Sequence, residues 1–143
     1  YYMKILLDEA VEIVKSLSEV HLNYLSLIFL CKQTKMNDIN SIESLKEYCE
    51  YICAKMPVTN GIESSIPFLH MLRLLTISLG SAAEVYSKQY NLDIDKVKEI
   101  LPLAMNSIPG DYSLTPVGII IAIINIRNKT NLNLDFKIWI KSI

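Results

Sequence analysis

Glycine and proline are scarce in these 143 residues, with four and five copies. That argues against a turn-dense all-β sandwich and for helices. Cysteine is scarce too: Cys31, Cys49 and Cys53 make an odd set. With no signal peptide visible, a disulfide framework is not expected and a reducing cytoplasm is. Neither sign of charge is in excess. Fourteen Lys and Arg face fifteen Asp and Glu, which excludes a strongly basic protein that coats nucleic acid. Long hydrophobic runs are missing as well. Mean hydropathy is high at +0.29, yet the longest charge-free run, Tyr112 to Ile126, covers fifteen residues and contains Pro116 and Gly118. A spanning helix needs about 20 mostly apolar residues, so no membrane segment is expected within this chain. The chain opens on Tyr1 with Met3 close behind. It reads either as a fragment of a longer protein or as a native start at Met3 behind a tag.

What is present suits a packed core. Apolar residues make up 51% and charged residues 20%, which places the chain among globular rather than disordered proteins. One domain is expected, with residues 1–80 forming a helical bundle. Residues 3–17 carry a 3.6-residue period in which Leu7, Ala10, Val11, Val14 and Leu17 form the buried stripe. Ser16 and Glu19 match a capping box for a second helix over 19–33, apolar on most sides and so central. Asn40, with Glu43, is the expected cap of a third helix that buries Ile42, Leu45, Cys49, Ile52, Cys53 and Met56. A fourth opens at Ser65 and Pro67 and runs through Leu79 to Gly80.

From residue 81 the grammar changes. Ser81 and Glu84 form a capping box, Asp93 caps a helix built on Ile94, Val97 and Leu101, and Thr115-Pro116 opens a buried helix to about residue 128. Pro109-Gly110-Asp111 reads as a tight turn between extended pieces at Ser107-Ile108 and Tyr112-Leu114. Leu132 to Ile140 alternates with period two, which predicts a half-buried strand with Trp139 on its polar side.

Residues 81–118, SAAEVYSKQYNLDIDKVKEILPLAMNSIPGDYSLTPVG, resemble the helix, turn, helix, wing, helix order of winged helix-turn-helix domains. Ala83 and Val85 resemble packing residues of the positioning helix, and Ile94, Val97 and Leu101 those of the recognition helix. Tyr112 to Gly118 is similar to the Y-x-L-T-x-x-G signature that leaves the wing. The resemblance implies a DNA-binding regulator whose contacts would be Lys88, Lys96 and Lys98. Three departures weigh against that role. Pro102 falls in the would-be recognition helix, that helix has no net charge and no Arg, and the wing carries Asp111 without a basic residue. More loosely, LSEVHLNYLSLIFLCKQT and SLTPVGIIIAIINIRNKTNLNLDFKIWI resemble segments of uncharacterised bacterial proteins associated with abortive infection and phage defence. That resemblance implies a partner-binding module.

The expected fold is therefore mainly α, a bundle of about four helices followed by a winged-helix-like part over 81–143 with a small β-sheet. No enzyme chemistry, cofactor or metal is expected. His21 reads as a hydrogen-bonded histidine at a helix start, Asp93 and Asp95 as capping residues, and the four glycines lack any phosphate-loop spacing. Cys49 and Cys53, four apart, read as small core residues rather than a redox pair. His70 and Arg73, three apart on one helical face, are candidate partner contacts, as is Trp139. The expected function is a non-enzymatic protein-interaction or oligomerisation module, its partner another protein or a second copy, in a bacterial defence setting. A DNA-binding winged-helix regulator is the alternative.

Overall fold

The structure, a computed structural model, describes residues 2–134. Among these it is mainly helical: α1 (Tyr2–Val14), α2 (Glu19–Lys32), α3 (Ile42–Lys55), α4 (Ile66–Met71), β1 (Leu75–Ile77), α5 (Ala82–Tyr90), α6 (Ile94–Ile100), β2 (Tyr112–Leu114) and α7 (Pro116–Lys129), with 3-10 turns at Ile62–Ser65 and Leu103–Ser107. As its sequence predicts, α2 is central: every residue from Asn23 to Cys31 is buried. α7 lies along it, buried at Val117–Ile123, Asn125 and Ile126. One cluster of buried side chains runs from Leu6 to Leu134 and draws on both halves of the chain.

The helix starts follow capping chemistry, with two shifts. Ser81 and Glu84 cap α5, Asp93 caps α6 and Thr115 caps α7 as expected. α2, however, is capped by Ser18, whose Oγ accepts from His21 N while His21 Nδ1 accepts from Ser18 N. A histidine at the third position thus takes the part usually played by Glu or Gln. α3 is capped by Ser41 with Ser44, not by Asn40 with Glu43. A serine hydroxyl on the helix's first turn reaches the backbone with less side-chain ordering than a glutamate needs.

The fourth helix is the largest departure. It ends at Met71, because Arg73 adopts a left-handed backbone with φ of 61°. Leu74 N bonds to Leu69 O at 3.1 Å and Arg73 N to His70 O at 2.9 Å, the two bonds of a Schellman stop made here without glycine. The residues beyond form β1 instead of continuing the helix. β1 pairs antiparallel with β2, Leu75 opposite Leu114 and Ile77 opposite Tyr112. The strand partner of Tyr112-Leu114 thus lies before residue 81, outside the winged-helix-like part, and Ser107 sits in a 3-10 turn rather than in a wing strand. Asn131–Leu134 is not a strand, and the rest of the expected terminal strand lies outside the described residues.

The C-terminal end of α2 holds this sheet. The Gln33 amide donates to Leu114 O at 3.0 Å and accepts from Leu114 N at 2.8 Å, filling the outer edge of β2 as a strand would. Lys32 Nζ donates to Ser78 O, just after β1, and to Pro109 O, just before β2; its partial burial lowers the ammonium pKa. α7 then starts directly against the sheet. Thr115 N donates to Leu74 O at 2.9 Å, and a Cβ on Gly118 would stand 2.7 Å from that same oxygen.

Gly118→Ala tests this close approach. Alanine gains at most about 1 kcal/mol of helix propensity, whereas the carbonyl contact forces α7 outward at a cost of about 1–3 kcal/mol. A net loss of stability in urea unfolding is expected; a more stable variant would show that α7 and β1 do not meet as described.

Candidate interaction surface

α1 carries more apolar surface than one neighbour can cover. Leu6 and Ala10 are buried, with Met3, Ile13 and Leu17 packed beside them. The expected stripe is rotated: Val11 is 60% exposed and Val14 is also exposed. With Leu7, these two line a groove of about 360 Å³ closed by Leu22 from α2 and by Ile121 and Ile124 from α7. Ile124 departs from the all-round burial expected of α7, at 43% exposed. Tyr2 and Ile5 are exposed too, on another side of α1.

Asn125 also lines this groove, together with Asn128. Behind Asn125 runs a polar seam between α2 and α7. Asn125 Nδ2 donates to Ser26 Oγ at 2.8 Å and to Asn23 Oδ1 at 3.2 Å. Ser26 Oγ donates to Leu22 O, and Asn23 Nδ2 donates to Pro57 O, both at 2.8 Å. Lys129 Nζ donates to Asn23 Oδ1 and pairs with Glu19 at the first turn of α2. Apolar helices meet here through a satisfied polar network, which fixes their register. A second cleft, of about 430 Å³ between residues 58–63 and 103–107, has Glu63 as its one ionisable lining residue and no convergent catalytic set.

The residues singled out from sequence do not converge. His70 is exposed, its ring 5.5 Å from that of Tyr112. Arg73 is exposed beyond the end of α4, so the two share no helical face, and Arg73 serves through its carbonyl, which accepts from Thr115 Oγ1. Lys88, Lys96 and Lys98 are exposed on α5 and α6. Glu84 lies within electrostatic reach of Lys88 and Lys98; its carboxyl is held below the usual range chiefly by the Ser81 hydroxyl and N–H. Asp95 and Glu99 are exposed on the same α6, so that face is mixed rather than basic. Trp139 lies outside the described residues. Among the described residues no group of three or more His, Cys, Asp or Glu could hold a metal ion, and no helix is long and apolar enough to cross a membrane.

One protein-family model, of a family whose function is not established, matches residues 1–102 and 93–140. The chain belongs to that family. No curated protein and no solved structure matches it.

Sequence reasoning missed the groove and the asparagine in its floor. The signals were there: Asn125 interrupts a run of isoleucines, and Asn23 and Ser26 interrupt an apolar helix.

The thiols behave as core groups. Cys31 and Cys49 are buried and Cys53 half-buried, all three free. Burial pushes Cys31 and Cys49 up to about 12 and Cys53 to about 11, from an ordinary value of 9.0. In the unfolded chain they ionise first, so this contribution to stability is complete below pH 9.0 and is lost as pH climbs toward 12. Alkaline titration of the melting temperature should show that fall, and a thiol reagent at neutral pH should reach Cys53 before Cys31 or Cys49. Rapid labelling of all three in the native protein would contradict it. The seam has its own test. Asn23→Ala strips a partner from Asn125, Lys129 and Pro57 O, and about 1–3 kcal/mol of stability should be lost.

Proposed function

We propose that this protein is a non-enzymatic protein-interaction module that uses the α1–α7 face as its contact surface. One observation carries the reading: Val11, Val14 and Ile124 are exposed around an apolar groove between α1 and α7. Fully burying a large apolar side chain contributes about 1.5–3 kcal/mol, so a partner covering several of these gains a substantial driving force. Exposed apolar patches of this kind mark association sites. The DNA-reading alternative draws less support, since Lys88, Lys96 and Lys98 are interleaved with Glu84, Asp95 and Glu99.

Sedimentation velocity over a wide concentration range, alongside fluorescence anisotropy with duplex DNA at about 50 and 200 mM salt, separates the two. The expected result is concentration-dependent association that Val11→Asp with Ile124→Asp abolishes, and no DNA binding. A monomer that binds DNA with steep salt dependence would overturn the reading.

A further inference from the structure

We propose that Asn60 is a site of spontaneous modification. Its side-chain amide closes onto the backbone nitrogen of Gly61 to give a succinimide, which opens to aspartate and isoaspartate. The product places a second carboxylate in the cleft between residues 58–63 and 103–107, which shares no lining residue with the α1–α7 groove.

The chemistry asks for an unburied asparagine, a following residue with no side chain to crowd the attack, and a backbone N–H that nothing else holds. Asn60 is the one asparagine in the sequence followed by glycine, and both residues are exposed. They are the central pair of a turn in which Ile62 N donates to Thr59 O at 3.2 Å. Gly61 has φ of 80° and ψ of 14° while Asn60 keeps a negative φ, the pattern of a type II turn. The outer groups of this turn are pinned: Ile62 N by Thr59 O, and Gly61 O by Ser64 N at 3.0 Å. The peptide between Asn60 and Gly61 is not, because Gly61 N makes no hydrogen bond among the described residues. Glycine lets that peptide plane rotate, and nothing stands within 4 Å of where a Cβ on Gly61 would be. Gly61 N therefore approaches Asn60 Cγ by rotations that need no packed neighbour to move.

Other asparagines lack these features. Asn23 and Asn125 are buried with Nδ2 committed. Asn40 is exposed, but the N–H that follows it, of Ser41, donates to Ser44 Oγ at 3.0 Å. Asn106 lines the same cleft as Asn60, yet it sits in a 3-10 turn and is followed by Ser107, whose carbonyl accepts from Tyr24.

The step balances with water alone. Gly61 N gives its proton to solvent base and bonds to Asn60 Cγ; the Cγ–Nδ2 bond breaks and Nδ2 leaves as ammonia. Water then adds to either carbonyl of the ring. One opening restores the main chain and leaves aspartate, and the other routes the main chain through Cβ as isoaspartate. Either way a neutral amide becomes a carboxylate, so the formal net charge falls by one, from −1 to −2. The new charge shares its cleft with Glu63.

The test is incubation of the full chain at neutral and mildly alkaline pH, native and in urea, followed by peptide mass mapping and enzymatic methylation of isoaspartate. The native chain should convert first at Asn60, faster at the higher pH, while a more acidic species grows in on ion exchange. Asn60→Gln, at an exposed position, should lose both signals with the helical circular dichroism unchanged. Conversion at Asn60 in urea but not in the native chain would overturn the inference, since the folded turn would then keep the amide from Gly61 N. Earlier conversion at Asn40 or Asn106, or no conversion at all, would overturn it too.

Discussion

A stretch of helix with no wet face obliges every polar group it carries to find a partner inside the protein, and residues 23–31 of α2 are such a stretch. Asn23 and Ser26 lie among nine consecutive buried residues, and each is hydrogen-bonded. At its C-terminal end Lys32 and Gln33 bond to backbone carbonyls of the two-stranded sheet and its flanks. Leaving one such group unpaired costs about 1–3 kcal/mol, a large part of a typical domain's stability. These bonds therefore determine what sits beside α2: α7 through the asparagine seam, and the two-stranded sheet through Gln33.

The same seam shapes the surface. Asn125, which bonds Asn23 and Ser26 through Nδ2, also lines the groove between α1 and α7. By holding α7 against α2, they leave α1 to cover what remains of α7, and α1 does so incompletely. The groove is thus a product of two adjacent packing problems, one solved by hydrogen bonds and one left open on its apolar side.

Much of the architecture is legible in one dimension. The caps at Ser81, Asp93 and Thr115, and the buried character of α2 and α7, follow from local chemistry and periodicity. These features depend on residues three or four apart, which the chain brings together without help. The end of α4 is not of this kind. Its apolar spacing continues past Met71, yet Leu74 O serves as acceptor for Thr115 N, forty-one residues later, and a continued helix would have engaged that carbonyl internally.

By itself, then, the sequence determined the helical class, most helix starts and the burial of Cys31 and Cys49, because capping and amphipathic spacing are local. Only the tertiary structure decided that β1 pairs with β2, that Val11, Val14 and Ile124 stay exposed, and that Asn125 faces a groove. Each of those depends on which neighbour reaches a side chain or a backbone edge first, and that competition is settled between segments far apart in the chain.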